Sequence, residues 1–406
     1  MNICGIIAEY NPFHNGHAYM IKKIRELYKD TVILCIMSGS FTQRGEVAIL
    51  DKYIRAKTAV ENGIDAVFEL PFPYAVRSGE FFAKGAIKIL NQLNIDTLAF
   101  GCETNNPTLL KNIANIMDDN DIQNKIHNAV KNGASYAQAL SLALSTNFDE
   151  NIVTKPNNIL AIEYLRALKQ LNSKTTPIPI ERKKANHNDN EINRDISSAS
   201  AIRKELQQRN PNFGILKDNL PLQTFKQIQC KDKLYFQEKL FKPLLTKILT
   251  SSFYDLQNIY NINEGLEHRI IKMAKISKTY EELIQNISSK RYSKSRISRI
   301  LTYILMGFTK QMALKIDNAP LYARLLAFNS KGIKSLHNIK QKSQIPIIEK
   351  TSRFICENAL YQDLNDLSPL LTSLALDIRA SNLQSLTRDA YEPINKDFIT
   401  SPVYIV

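Results

Sequence analysis

The chain opens on an unbroken apolar run, Ile3-Cys4-Gly5-Ile6-Ile7-Ala8, short enough for a strand covered on both faces. From Ala18 through Met20, Ile21 and Ile24 to Leu27 the apolar spacing becomes helical. A second β-branched-rich strand is predicted over 31–37, and Asp51 is placed to cap a helix carrying Ile54, Ala56, Ala59 and Val60 that ends at Gly63. Ala66-Val67-Phe68-Glu69-Leu70 reads as a third strand stopped by Pro71, and 81–93 as a helix. Thr97-Leu98-Ala99-Phe100 reads as a fourth strand ending at Gly101. Strands alternating with helices of this length predict an α/β fold with a parallel sheet and right-handed crossovers.

Beyond 105 the strand signal pauses. Residues 105–150, rich in Asn and Ala, predict helices without a strand between them, an insertion after the fourth strand. A helix over 157–171 and a short strand at Pro177-Ile178-Pro179-Ile180 follow, then a basic loop from Glu181 through Arg182, Lys183 and Lys184 to His187. Ile196-Ser197-Ser198-Ala199-Ser200-Ala201-Ile202-Arg203 opens a helix with Ser198 as its N-cap. From about 206 the pattern becomes mostly helical, with a turn at Asn210-Pro211-Asn212-Phe213-Gly214. A last unit, 323–406, mixes helices with short strands such as Ile345-Pro346-Ile347-Ile348. Three segments are expected: 1–205, 206–322 and 323–406.

Composition adds location and partner. The 406 residues are 44% hydrophobic and 23% charged, ordinary for a globular protein large enough for several cores. No apolar run reaches the roughly 18 residues of a membrane span, and the N-terminus lacks the basic start and cleavage site of a signal peptide. Cys4, Cys35, Cys102, Cys230 and Cys356 are scattered, which predicts reduced thiols in the cytoplasm and no zinc site. The net charge of +14 is uneven: residues 1–205 carry 24 Lys+Arg against 22 Asp+Glu, residues 206–406 carry 29 against 17. That excess points to a polyanion, nucleic acid ahead of a membrane. Lys290, Arg291, Lys294, Arg296 and Arg299, interleaved with serines and Tyr292, form the densest basic stretch and suit phosphate-backbone contacts.

The chemistry concentrates in Glu9-Tyr10-Asn11-Pro12-Phe13-His14-Asn15-Gly16-His17, between the first strand and first helix. Pro12 takes the chain out of the sheet, Gly16 allows close backbone approach, and the helix N-terminus offers free N–H groups to a polyphosphate. His14 and His17 can donate hydrogen bonds to charge developing on a phosphoryl group. Strand carboxyl ends, where this turn and Gly101 fall, are where such sheets bind ligands.

His14-Asn15-Gly16-His17 resembles the His-x-Gly-His signature of the nucleotidylyl transferase superfamily, implying a Rossmann-like nucleotidylyltransferase domain. With Met37-Ser38-Gly39-Ser40-Phe41-Thr42-Gln43-Arg44-Gly45-Glu46, Lys155-Pro156-Asn157-Asn158-Ile159-Leu160 and the serine-rich helix start, the chain resembles the bacterial tRNA(Met) cytidine acetate ligases. The serine stretch is similar to an Ile-Ser-Ser-Thr-x-x-Arg motif, with one extra residue before Arg203. The resemblance implies that ATP and acetate form acetyl-adenylate, with magnesium assisting. The acetyl group then passes to the wobble cytidine of elongator tRNA(Met), giving N(4)-acetylcytidine, with no membrane or DNA partner. It further implies ATP contacts from the stretch Ile7-Ala8-Glu9-Tyr10-Asn11-Pro12-Phe13-His14-Asn15-Gly16-His17-Ala18-Tyr19-Met20, joined by Gly101, Asn158 and Arg182, with Ser198 at the phosphate end. Two other readings stand beside it: an adenylyltransferase for a small phosphorylated metabolite, and a non-catalytic RNA-binding protein with a vestigial nucleotide site.

Overall fold

Strand β2 (Val32–Ser38) is buried at all seven positions. Val32, Leu34 and Ile36 enter one apolar core, Ile33, Cys35 and Met37 another. Successive side chains point to opposite faces of a strand, so β2 is covered on both sides. The computed structural model describes residues 2–104, 106–132, 134, 136–145, 148–182 and 197–406.

β1 (Ile3–Ala8) lies parallel to β2, and with β3 (Ala66–Leu70), β4 (Thr97–Cys102) and β5 (Thr176–Glu181) they follow the order β5-β4-β1-β2-β3. The chain steps outward from β1 to β3, then crosses back to lay β4 on the other side of β1. That reversal puts a topological switch point at the carboxyl ends of β1 and β4, the place such sheets bind ligands. Helices α1 (Asn15–Leu27) and α2 (Lys52–Glu61) cover one face through Ile21, Ile24, Ala56 and Ala59. Helices Gly79–Gln92 and Pro156–Gln170 cover the other through Phe82, Ile87, Ala161 and Ile162. Helices fill the described part of 105–150, as the sequence predicts. β5 forms despite its two prolines because it is an edge strand, where one side of the backbone needs no partner.

The sheet does not end there. β6 (Ala323–Asn329) pairs antiparallel with β3, while β7 (Ile347–Ile348) and β8 (Val403–Ile405) run parallel to β6. The parallel sheet expected within 1–205 is therefore mostly parallel but mixed, and 323–406, where short strands were expected, builds its far edge. The sequence reading missed β6 because a charged residue, Arg324, sits inside it.

Arg324 is tolerated because its partners arrive from elsewhere. It pairs with Glu69 of β3 at 3.1 Å and with Asp397 at 3.2 Å, while Lys52 of α2 reaches Glu69 at 2.9 Å and Asp397 at 2.8 Å. All four side chains are at most 3% exposed. Burial alone would raise the Asp397 carboxyl, but Arg324 and Lys52 outweigh it and hold the group well below the usual range.

Asp377, on helix Pro369–Ser385, behaves oppositely. Its Oδ1 accepts from the Phe72 N–H at 2.7 Å and its Oδ2 meets the Tyr322 hydroxyl. Burial, then the charge of Glu69, push its carboxyl up to about 8. An unfolded aspartate ionises near about pH 4. Between there and about 8 the folded chain holds a proton that the unfolded chain has lost, so this group's contribution falls as pH rises. Asp377→Asn, an isostere of the protonated carboxyl, should flatten that dependence and be at least as stable as wild type on the alkaline side. Urea midpoints across this range check it, and identical slopes for the two proteins would refute it.

Candidate active site

Past Ala8 the backbone leaves the sheet and turns through Glu9 to Phe13 before α1 begins. Tyr10 and Phe13 are buried with ring centroids 4.8 Å apart, and His17 lies 4.8 Å from Tyr10 and 5.5 Å from Phe13. On this floor the two histidines cap α1 reciprocally. The Gly16 N–H donates to His14 Nδ1 at 3.0 Å, and the His14 N–H donates to His17 Nδ1 at 3.1 Å. A backbone N–H can only donate, so both Nδ1 atoms are acceptors and each neutral ring carries its hydrogen on Nε2. Burial, followed by the charges of Arg182 and Arg203, lowers His14 to about 3. Burial, then His14 and Arg182, holds His17 well below its ordinary value. The rings stack at 3.7 Å and 24°. At neutral pH the site thus offers two uncharged Nε2–H donors at the sheet's switch point, beside a helix N-terminus that favours anions.

The other stretches come to the same place. Arg203 donates to the Asn11 carbonyl at 2.9 Å and pairs with Glu46 at 2.9 Å, tying the helix that Ser198 caps to both the β1 turn and the loop after β2. Ser198 Oγ accepts from the Ala201 N–H at 3.1 Å, as an N-cap should. Arg55, 1% exposed, donates to the carbonyls of Glu9, Ser38, Gly39 and Leu50 and so pins the ends of both strands. Neither Arg55 nor Glu46 was singled out from sequence. Glu46 stood only as the last residue of the stretch Met37–Glu46, and Arg55 carried no local signal at all.

At the end of β4, Gly101 faces the Arg182 side chain, whose Cγ would lie 3.3 Å from an added Cβ. Arg182 donates to Asn157 Oδ1 at 2.9 Å. Asn158 Oδ1 accepts from the N–H groups of Glu103 and Thr104, and its Nδ2 donates to the Ile152 carbonyl at 3.0 Å. Its amide is therefore engaged in holding the post-β4 loop. Along α1, Ala18 and Met20 pack on the apolar core, the Lys23 ammonium sits 5.7 Å from the Tyr19 ring, and Asn15 donates to the Asp218 carbonyl at 2.8 Å. Ile7 and Ala8 pack on opposite faces of the sheet. The basic loop 183–187 lies outside the described residues.

The basic stretch sits at the start of helix Lys294–Met306. Lys290 and Lys294 are exposed, Arg291 pairs with Glu264, and the Arg296 guanidinium lies 4.7 Å from the Tyr292 ring. Arg299 differs in its backbone, which lies under Gly45, where an added Cβ would come within 2.7 Å of the Arg299 Cα; the Nε atoms of Arg296 and Arg299 are both buried without a hydrogen bond. Thr302 Oγ1 donates to the Gly45 carbonyl at 2.8 Å. The basic helix is thereby docked on the active-site loop. No described helix is long and apolar enough to cross a membrane.

Residues 1–397 match the family model described as HIGH Nucleotidyl Transferase. The chain is 39% identical over 418 residues to the tRNA(Met) cytidine acetate ligase of Clostridium novyi (strain NT), covering all of both chains. It is 37% identical over 418 residues to the protein of that name from Caldicellulosiruptor bescii, covering all of this chain and 99% of the other. Among solved structures it is similar to Thermotoga maritima TmcAL, apo form I, at a TM-score of 0.90 and 30% identity, and to the form bound with alpha-thio ATP at 0.88 and 29%, each covering both chains in full.

Proposed function

The chain belongs to the HIGH nucleotidyl transferases and, among them, to the tRNA(Met) cytidine acetate ligases, and from that premise we propose how its residues divide the work. It is an ATP-dependent ligase acting on tRNA. ATP lies at the β1–β4 switch point, contacted by the stretch Ile7–Met20, Gly101 and Arg182, with Asn158 and Ser198 holding the adjoining backbone. Acetate attacks the α-phosphate to give acetyl-adenylate and pyrophosphate, and the acetyl group then moves to the exocyclic amine of the wobble cytidine in elongator tRNA(Met). The observation that carries this reading is the pair of neutral imidazoles, each fixed through Nδ1 and left with an Nε2–H for a phosphate. Acetate is a weak nucleophile approaching an anion, so the protein must position it and offset the triphosphate charge. Magnesium belongs here with ATP, whose phosphates hold it. Among the described residues no cluster of three or more His, Cys, Asp or Glu forms a cage for it. The compartment that fits is the cytoplasm, where tRNA is.

Acetate-dependent exchange of pyrophosphate into ATP, followed by nucleoside mass spectrometry of tRNA(Met), tests the reading. A stable dinucleotide product would instead indicate an adenylyltransferase for a phosphorylated metabolite.

For tRNA we propose the exposed end of helix Lys294–Met306, with Lys290, Arg291, Lys294 and Arg296 on phosphates and Arg299 bracing the helix against Gly45. Replacing Arg291, Lys294 and Arg296 together should weaken tRNA binding and lower the slope of log affinity against log salt by about one unit per lost contact. Filter binding over a salt series measures it, and an unchanged slope would place the RNA elsewhere.

A further inference from the structure

Acetyl transfer leaves one proton to be placed, and the geometry restricts where it can go. As the cytidine amine attacks the carbonyl carbon of acetyl-adenylate, a C–N bond forms and the C–O bond to AMP breaks. The electron pair leaves with the phosphate of AMP, and the nitrogen must shed a proton. The histidines cannot take it: each Nδ1 lone pair is occupied by a backbone N–H and each Nε2 already bears hydrogen. Glu46 is held by Arg203 at 2.9 Å. Glu103 caps helix Pro156–Gln170, with Oε2 accepting from the Asn158 N–H at 2.8 Å and Oε1 from Asn157.

Glu9 remains. It follows the last residue of β1, so it stands at the switch point itself. Its Oε1 is anchored by the Gln43 N–H at 2.5 Å, and Oε2 has no hydrogen-bond partner among the described residues. The residue is half-buried. Gln43, which holds Oε1, and Glu46, which pairs with Arg203 at 2.9 Å, lie on one loop, and Arg203 also donates to the Asn11 carbonyl of the histidine turn at 2.9 Å, so Glu9 and that turn are tied to the same loop and the same arginine. The charged and titratable groups around it are Glu46 and Arg44 from the loop after β2, Arg55 from α2, Arg203, and Tyr164 from helix Pro156–Gln170. Burial foremost, and Glu46, push its carboxyl up against the Gln43 bond and the two arginines, which brings a carboxylate closer to the pH at which a base works best.

We propose that Glu9 accepts the amine proton through Oε2 during acetyl transfer, with Oε1 held by Gln43 to fix its aim. This rests on the ligase reading above, and the two can be separated. Glu9→Gln keeps an oxygen for the Gln43 N–H but cannot take up a proton. With full-length protein, ATP, acetate and tRNA(Met) transcript, acetylation should fall ~10²–10⁴-fold, and by at least ~10-fold more than acetate-dependent pyrophosphate exchange. The wild-type transfer rate should rise with pH through the ionisation of Glu9, and the variant should lack that rise, while Glu9→Asp restores part of it. Equal losses in both half-reactions would leave Glu9 with ATP contact or structure alone and overturn the proposal, as would unchanged transfer. Wild-type protein with no acetate-dependent exchange would remove the ligase reading itself, and the role of Glu9 with it.

Discussion

Replacing His17 with alanine should slow acetate-dependent adenylate formation by ~10²–10³, the usual cost of losing one donor to charge developing in a transition state. Two losses are combined in that variant, because His17 Nδ1 also accepts the His14 N–H at 3.1 Å. An N-cap bond of this kind is worth about 1 kcal/mol of stability. His17→Asn separates them. Its side-chain oxygen falls near the Nδ1 position and keeps the cap, but nothing reaches the Nε2 position. The asparagine variant should therefore unfold at nearly the wild-type urea concentration while losing the rate. A near-normal exchange rate in it would take the imidazole out of the mechanism. The pH profile adds a second check. Because burial lowers His14 to about 3 and holds His17 well down, exchange should stay flat through about pH 6.5, where a free imidazole titrates.

Lys52→Met is expected to cost stability on a comparable scale, ~3–5 kcal/mol, by leaving two buried carboxylates to share one guanidinium. Lys52 is wholly buried and bonds both Glu69 oxygens at 2.9 Å and Asp397 at 2.8 Å. Removing it strips charge balance from side chains that are at most 3% exposed, where bulk solvent cannot compensate. Urea unfolding gives the loss, and the Lys52→Met/Glu69→Gln pair should recover part of it by deleting the orphaned charge. Activity should drop as well. Gly39 lies so close to the Glu69 carboxylate that no Cβ fits between them, so a shifted Glu69 moves the loop that carries Gln43 and Glu46. A variant as stable as wild type would mean that Arg324 alone balances both acids.

The two experiments probe what the sequence showed and what it hid. The histidine turn was legible because its signals are local: an apolar strand, a proline that ends it, and a helix with its cap within a few residues. The cap at Asp51 was legible for the same reason, since its carboxylate accepts from the N–H groups of Tyr53 and Ile54. Arg203 could be placed on its helix but not in the site, because the bonds that locate it reach Asn11 and Glu46, more than 150 residues away. Strand β6 failed for the same physical reason. Its arginine argues against a buried strand until Glu69 and Asp397, distant in the chain, are brought beside it. Local chemistry is written in neighbouring letters, whereas charge compensation in the interior is a property of the assembled molecule.

The antiparallel pairing of β6 with β3 has a consequence for how the polypeptide is made. While the ribosome is still translating, β3 has no neighbour on its outer side and presents bare N–H and C=O groups to other nascent chains. Its acid, Glu69, waits for cations of which one, Arg324, is still to be synthesised, and Asp397 comes later still. The catalytic half should therefore mature only after translation is nearly finished, and messages truncated before residue 323 should yield aggregates rather than a trimmed enzyme.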